Sequence, residues 1–269
     1  MNYLAKIREQ KPLIHNITNI VVANFSANGL LALGASPAMA NAPEEAAEMA
    51  SHADALVLNI GTCTEDQVKA MLIAGMAANE KGIPVILDPV AIGATKFRTD
   101  AVMQILTELD ITVIRGNIGE IAFLGETDAR MKGADALMDK VEPEIAVYAA
   151  KKYNSIVTAT GKTDIITDGS NYTLCNNGSS MLPNITGTGC LLTAVVGAFC
   201  SVTEDYYEAS IQAVSSYGVA AQLASEKSNG PGSFLSIFMD ELYRLTEAAV
   251  QQSAKLHEYN CKGVGSNDR

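Results

Sequence analysis

Four short apolar runs recur along this chain: Asp54 to Ile60, Val85 to Leu87, Ile111 to Ile114 and Ser155 to Ala159. Helix-compatible stretches lie between them, and that alternation is the strongest constraint on the fold. Strands joined through a helix pair in parallel, because an antiparallel pair would need only a short hairpin. A parallel sheet is in turn buried on both faces, so the expected class is α/β, a central mostly parallel sheet with helices on both faces. The punctuation agrees. Gly34 ends a helical pattern that runs from Asn19 to Leu33, and Ser36 to Ala40 follows as a short candidate strand. Pro43, Glu44 and Glu45 suit the opening of a helix, as do Thr64-Glu65-Asp66-Gln67 for one that ends near Gly82. Helices are also expected over Thr99 to Leu109 and Pro143 to Tyr153, with a more polar segment, Glu126 to Lys140, between them. Ile165 to Thr167 and Tyr172 to Cys175, joined through Asp168 to Asn171, read as a hairpin at or beyond the sheet's edge. Past Cys190 the pattern is helical to about Ala254, and the tail from Cys261 onward is expected to fray. With neither a repeat nor a low-complexity linker in its 269 residues, the chain is expected to form a single domain, 1–269.

Charge and composition remove whole classes of function. A formal net charge of -11 repels phosphate backbones and anionic membranes, and Trp is absent, so a nucleic-acid role is not expected. Cys63, Cys175, Cys190, Cys200 and Cys261 form no C-x-x-C pair and are odd in number, which fits reduced thiols better than disulfides or zinc. His15, His52 and His257 share no i, i+4 spacing, so a histidine metal centre is disfavoured. Lys6, Arg8, Glu9 and Lys11 interrupt the first apolar residues, and the runs Cys190 to Val202 and Ile211 to Ala224 fall short of the ~20 residues of a membrane span. A cytoplasmic location is expected.

In an open parallel sheet, ligands bind beyond the carboxyl ends of the strands. Several polar residues stand there: Asp88; Arg115 with Asn117 and Glu120; Thr160 with Gly161. The turn Asn184-Ile185-Thr186-Gly187-Thr188-Gly189-Cys190 runs into an apolar helix, whose unpaired N–H groups carry about half a positive charge and suit a phosphate or carboxylate. Cys190 falls in that helix's first turn, where the same field is expected to lower the thiol pKa and favour thiolate. Positive charge, carboxylates able to hold Mg²⁺ and backbone amides are the parts of a phosphoryl-transfer site. The chain has no Walker motif, so a P-loop enzyme is not expected. The block "HNITNIVVANFSANGLLALGASPAMA" admits two readings, a pocket or lid with adaptable contacts and an amphipathic helix with an edge strand.

The segments "PLIHNITNIVVANFSANGLLALGASPAMA", "ALVLNIGT", "PVILDPVAIGAT", "IRGNIGEI", "TGTGCLLTAVVGAFC" and "SSYGVAAQLA…GPGSF" resemble those of the hydroxyethylthiazole kinase family, in the ribokinase-like superfamily. The similarity runs in order from about Pro12 to Phe234. It implies phosphorylation by ATP of the hydroxyl of 4-methyl-5-(2-hydroxyethyl)thiazole, a step of thiamine salvage. By the same resemblance, Met39 contacts the thiazole, Gly187 lines the substrate side of the turn, Arg115 and Thr160 bind ATP phosphates, and Asp88 and Glu120 organise Mg²⁺. It further implies a homotrimer with the pocket at a subunit boundary, to which Asn19 and Val21 come from a neighbouring chain. Where sugar kinases of the superfamily end the turn with an aspartate base, Cys190 stands here, a softer acceptor. Thr188 and Lys162 are smaller departures, at positions where alanine and an acidic residue are frequent. Two other readings are a kinase of a hydroxymethylpyrimidine-type alcohol or a nucleotide-dependent dehydratase on the same fold, and a non-catalytic thiazole or nucleotide sensor.

Overall fold

Alternation along the strands decides which helix covers which face. On the strand Ala55–Asn59 (β3), Val57 points into one apolar core while Leu56 and Leu58 point into the other. Ile86 of Val85–Asp88 (β4) joins the Val57 side, with Val85 and Leu87 opposite. A strand buried on both faces has no polar side to spare, which is why these runs read as continuously apolar. In a computed structural model, which describes residues 2–125 and 143–261, they form the centre of one nine-stranded sheet. The other strands are Leu13–Ile17 (β1), Ser36–Ala38 (β2), Val113–Asn117 (β5), Ile156–Thr160 (β6), Asp164–Thr167 (β7), Asn171–Cys175 (β8) and Leu256–Asn260 (β9), in the order β2-β1-β3-β4-β5-β6-β7-β8-β9. Pairing is parallel from β2 to β6 and antiparallel from β6 to β9. The polar segment Glu126 to Lys140 and the tail beyond Cys261 lie outside the described residues.

Helices cover both faces, as the α/β reading required. The Val57 side carries Tyr3–Gln10 (α1), Ala23–Leu33 (α2), Thr188–Cys200, Tyr206–Lys227, Pro231–Arg244 and Glu247–Ser253. The opposite side carries Ala46–His52 (α3), Glu65–Lys81 (α4), Lys96–Glu108 (α5), Ile118–Gly125 (α6) and Pro143–Tyr153 (α7). Accordingly Thr188–Cys200 is α8, Tyr206–Lys227 α9, Pro231–Arg244 α10 and Glu247–Ser253 α11. Thr64 caps α4 in a reciprocal capping box with Gln67, and Gly82 closes it at φ +77°.

Four elements differ from the sequence reading. The helix expected from Asn19 begins at Ala23, because the Asn19 side chain instead accepts from the Val22 N–H and closes a turn ahead of it. Leu13 to Ile17 is an interior strand between β2 and β3, and the edge strand of this block is β2. Beyond Ala254 the chain forms β9, which completes the antiparallel end and stacks Tyr259 on Tyr172 at 4.9 Å. The helix following β2 also starts later than Pro43, at Ala46.

Helix α8 is apolar all round because it is buried all round, lying across β1, β3 and β4 under α2 and α9. Gly197 admits it to the sheet: a Cβ there would stand 3.0 Å from Val57 Cγ2. Leu191, fully buried, fills the space that Gly29 leaves open on α2. Leu191→Ala is expected to lower the unfolding free energy by about 2–5 kcal/mol. Urea denaturation checks this, and an unchanged midpoint would contradict the packing described.

Candidate functional site

The start of α8 meets the carboxyl ends of β3, β4 and β5. Gly187 stands at its N-cap at φ +92°, with no side chain capping the helix. The first helical bond runs from the Leu191 N–H to the Gly187 carbonyl at 2.8 Å, so the N–H groups of Thr188, Gly189 and Cys190 have no partner within the helix. A Cβ on Gly187 would lie 2.5 Å from Val22 Cγ1, and one on Gly189 would lie 2.7 Å from Arg115 Nη1. The two glycines therefore let the turn touch α2 on one side and a guanidinium on the other.

Asp88 ends β4 and is buried. Its Oδ2 accepts from Asn59 Nδ2 at 2.7 Å and from Thr193 Oγ1 at 2.8 Å, and Arg115 Nη1 stands 3.8 Å away. All three contacts fall on one oxygen. Oδ1 is buried without a hydrogen-bond partner. Burial raises the Asp88 pKa to about 6, against the pull of Arg115. Glu120, in the first turn of α6, is held by backbone donors: Ala91 N–H to Oε1 at 2.7 Å and Asn117 N–H to Oε2 at 2.7 Å. Its negative charge adds to the rise at Asp88. No group of three or more metal-ligating side chains occurs among the described residues. A hard cation that keeps several waters and takes one or two carboxylates still fits, since the free Oδ1 of Asp88 and the spare lone pairs of Glu120 supply oxygen ligands only.

Arg115 lies within β5, 8% exposed, and donates from Nη2 to Thr160 Oγ1 at 2.6 Å. Around this pair opens a cleft of about 750 Å³, bordered by Arg115, Thr160, Gly161, Lys162, Gly189 and Tyr217 among others. Asp164, whose pKa burial raises to about 6, accepts from the Gly161 N–H at 2.9 Å and holds the turn after β6.

Beside Cys190 the polar groups form a relay. Asn19 Nδ2 reaches Cys190 Sγ at 3.5 Å and Asn59 Oδ1 at 2.9 Å, and Asn59 in turn donates to Asp88. The expected depression of the Cys190 pKa is not found. Burial pushes the thiol up and the Asp88 carboxylate adds to the rise, opposed by Asn59, Asn19 and Arg115. Desolvation disfavours the charged thiolate, and it is the largest cause of the rise.

Sequence reasoning thus brought together Asp88, Arg115, Glu120, Thr160, Gly187 and Cys190. Asn19 joins them in its own chain, whereas the resemblance assigns it to a neighbour's pocket. Of these, Arg115 and Thr160 border the cleft, whereas Asp88, Glu120, Gly187 and Cys190 lie outside its lining, as do Met39, half-buried after β2, and Val21, 65% exposed. Asn59, Thr193 and Arg98 were missed. Arg98 donates to the carbonyls of Ile60 at 3.0 Å, Val90 at 2.9 Å and Gly61 at 2.5 Å, pinning the loops after β3 and β4. Asn59 was findable, since it ends a strand as Asp88 does.

The chain is similar to known proteins over most of its length. The model of the Hydroxyethylthiazole kinase family matches residues 4–248. Hydroxyethylthiazole kinase 2 of Oceanobacillus iheyensis is 53% identical over 255 residues, covering 95% of this chain and 98% of that one. The solved hydroxyethylthiazole kinase protein of Pyrococcus horikoshii OT3 is 42% identical, with a TM-score of 0.87 over 96% of this chain and 98% of that one. Staphylococcus aureus pyridoxal kinase, solved in complex with ADP, shares the ribokinase-like fold at 15% identity, with a TM-score of 0.58 over 78% of this chain and 88% of that one. With most of its length matched by the family's model, the chain belongs to the hydroxyethylthiazole kinase family.

Proposed function

We propose that the chain, acting as one catalytic domain, transfers the terminal phosphoryl group of ATP to the hydroxyl of 4-methyl-5-(2-hydroxyethyl)thiazole, giving the thiazole phosphate, ADP and a proton. The observation that carries this reading is the convergence of Arg115, Thr160 and the free N–H groups of α8 on one cleft, in a chain of this family. Arg115 and Thr160 hold the ATP phosphates. The α8 amides face the transferring group, where negative charge sits on its equatorial oxygens. Asp88 and Glu120 would hold Mg²⁺. The ion supplies charge neutralisation at the phosphates when bound.

Cys190 serves the acceptor. Its thiol is held toward the neutral form, and a loose phosphoryl transition state does not require the alcohol proton to leave before the new P–O bond forms. Sγ therefore accepts the hydroxyl's hydrogen bond and orients its oxygen, and the proton leaves late, by way of a transferred-phosphate oxygen to solvent. Asn19 fixes the sulfur. The thiazole ring rests on the Gly187 side of the turn, with Met39 and Val21 completing the pocket across the boundary of a cytoplasmic homotrimer. Ile20 and Val21, 80% and 65% exposed on one chain, are apolar side chains that a neighbouring subunit would cover.

Incubation with ATP, Mg²⁺ and the thiazole alcohol is expected to yield, by mass spectrometry, a product heavier by one HPO₃ unit. Chelation of the metal should stop it. No phosphorylated thiazole under these conditions rules the reading out. Cys190→Ser is expected to lower kcat by roughly tenfold or more while KM for the alcohol moves little. Arg115→Ala should lower kcat/KM for ATP by about 10²–10³. Steady-state kinetics on both variants checks these roles, and wild-type rates in both would remove the mechanism.

A further inference from the structure

Tyr217 has no part in the chemistry above, yet it borders the same cleft from the middle of α9. Its ring is buried edge-on against Phe238, 4.9 Å between centroids at 81°, and Phe238 stacks on Phe234. A buried tyrosine hydroxyl needs a partner, and this one donates to the Thr188 carbonyl at 2.7 Å. That carbonyl belongs to the peptide group whose other end is the Gly189 N–H. The peptide is planar and trans, so the N–H points opposite to the C=O. Fixing the carbonyl from the helix side aims the Gly189 N–H out of the helix start, toward the cleft.

Two further contacts locate what it is aimed at. Arg115 Nη1 crowds Gly189 so closely that a Cβ there would stand 2.7 Å from it, so the guanidinium lies directly beside the Gly189 backbone. The Thr188 hydroxyl donates to the Leu182 carbonyl at 3.0 Å or the Ile185 carbonyl at 3.3 Å, tying the same residue to the turn before α8. Held at its side chain and at its carbonyl, Thr188 cannot rotate the peptide. Donation into the carbonyl also polarises the peptide and strengthens its N–H as a donor.

From this geometry we infer that Tyr217 is a positioning residue for phosphoryl transfer: it locks the Thr188–Gly189 peptide so that the Gly189 N–H and Arg115 together hold the migrating phosphoryl group. The inference rests on the proposed kinase reading, and deepens it by giving the "SSYG" element a role. It concerns the phosphoryl group alone, so it is independent of which alcohol receives it.

Tyr217→Phe removes the hydroxyl and keeps the ring on Phe238. The expected result is a fall in kcat of about tenfold, less than loss of a donor itself, with KM for ATP and for the alcohol within about twofold of wild type. Phe234→Leu, one ring further from the peptide, serves as the control for lost packing and is expected to lower Tm while keeping kcat. The slow hydrolysis of ATP without alcohol is measured in parallel, since water can take the alcohol's place, and is expected to fall equally in Tyr217→Phe. Wild-type kcat and hydrolysis in folded Tyr217→Phe would overturn the inference, as would an equal kcat loss in Phe234→Leu. Should wild type phosphorylate no thiazole, the function reading fails, and the hydrolysis comparison alone decides the role of Tyr217.

Discussion

A carboxylate and a guanidinium held 3.8 Å apart inside the protein organise this molecule's working edge. Neither Asp88 nor Arg115 could be buried alone, because an isolated charge in an apolar interior is strongly destabilising. Each is therefore surrounded by donors or acceptors from other elements: Asn59 from β3, Thr193 from α8 and Thr160 from β6. These bonds stitch the ends of four adjacent parallel strands to the helix above them. Removing either partner would leave the other uncompensated, at about 3–5 kcal/mol by analogy with other buried pairs.

The same arrangement leaves capacity unused, and the function follows from that remainder. Asp88 keeps one oxygen without a partner, Arg115 keeps a buried Nε without one, and the first amides of α8 have none within the helix. An anion with its counter-cation would satisfy them. Burial raises the Cys190 thiol, and the Asp88 carboxylate adds to the rise.

How far the sequence made this legible depends on the kind of signal. Asp88 and Thr160 end buried runs, and Arg115 falls next to one, so strand-exit logic found them without any contact being known. Gly187 and Gly189 were legible as a turn, although what they admit, Val22 and Arg115, lies far away in the chain. Leu13 to Ile17 was obscured because His15 and Asn16 interrupt its apolar pattern, and both are buried polar residues that only tertiary pairing explains. The strand Leu256 to Asn260 is polar and exposed, as an edge strand can be, and its pairing with β8 is what defines it. The state of Cys190 was misread because a helix field is visible in local sequence, while desolvation by neighbours distant in sequence is not.

The strand exits and the start of α8 are proposed to form one phosphoryl-holding pocket. A crystal structure with Mg²⁺ and a non-hydrolysable ATP analogue tests it most directly. The account predicts the terminal phosphate between Arg115, Thr160 and the Gly189 N–H, with the cation on the Asp88 and Glu120 side. A triphosphate bound elsewhere, its terminal group remote from Gly189, would contradict it.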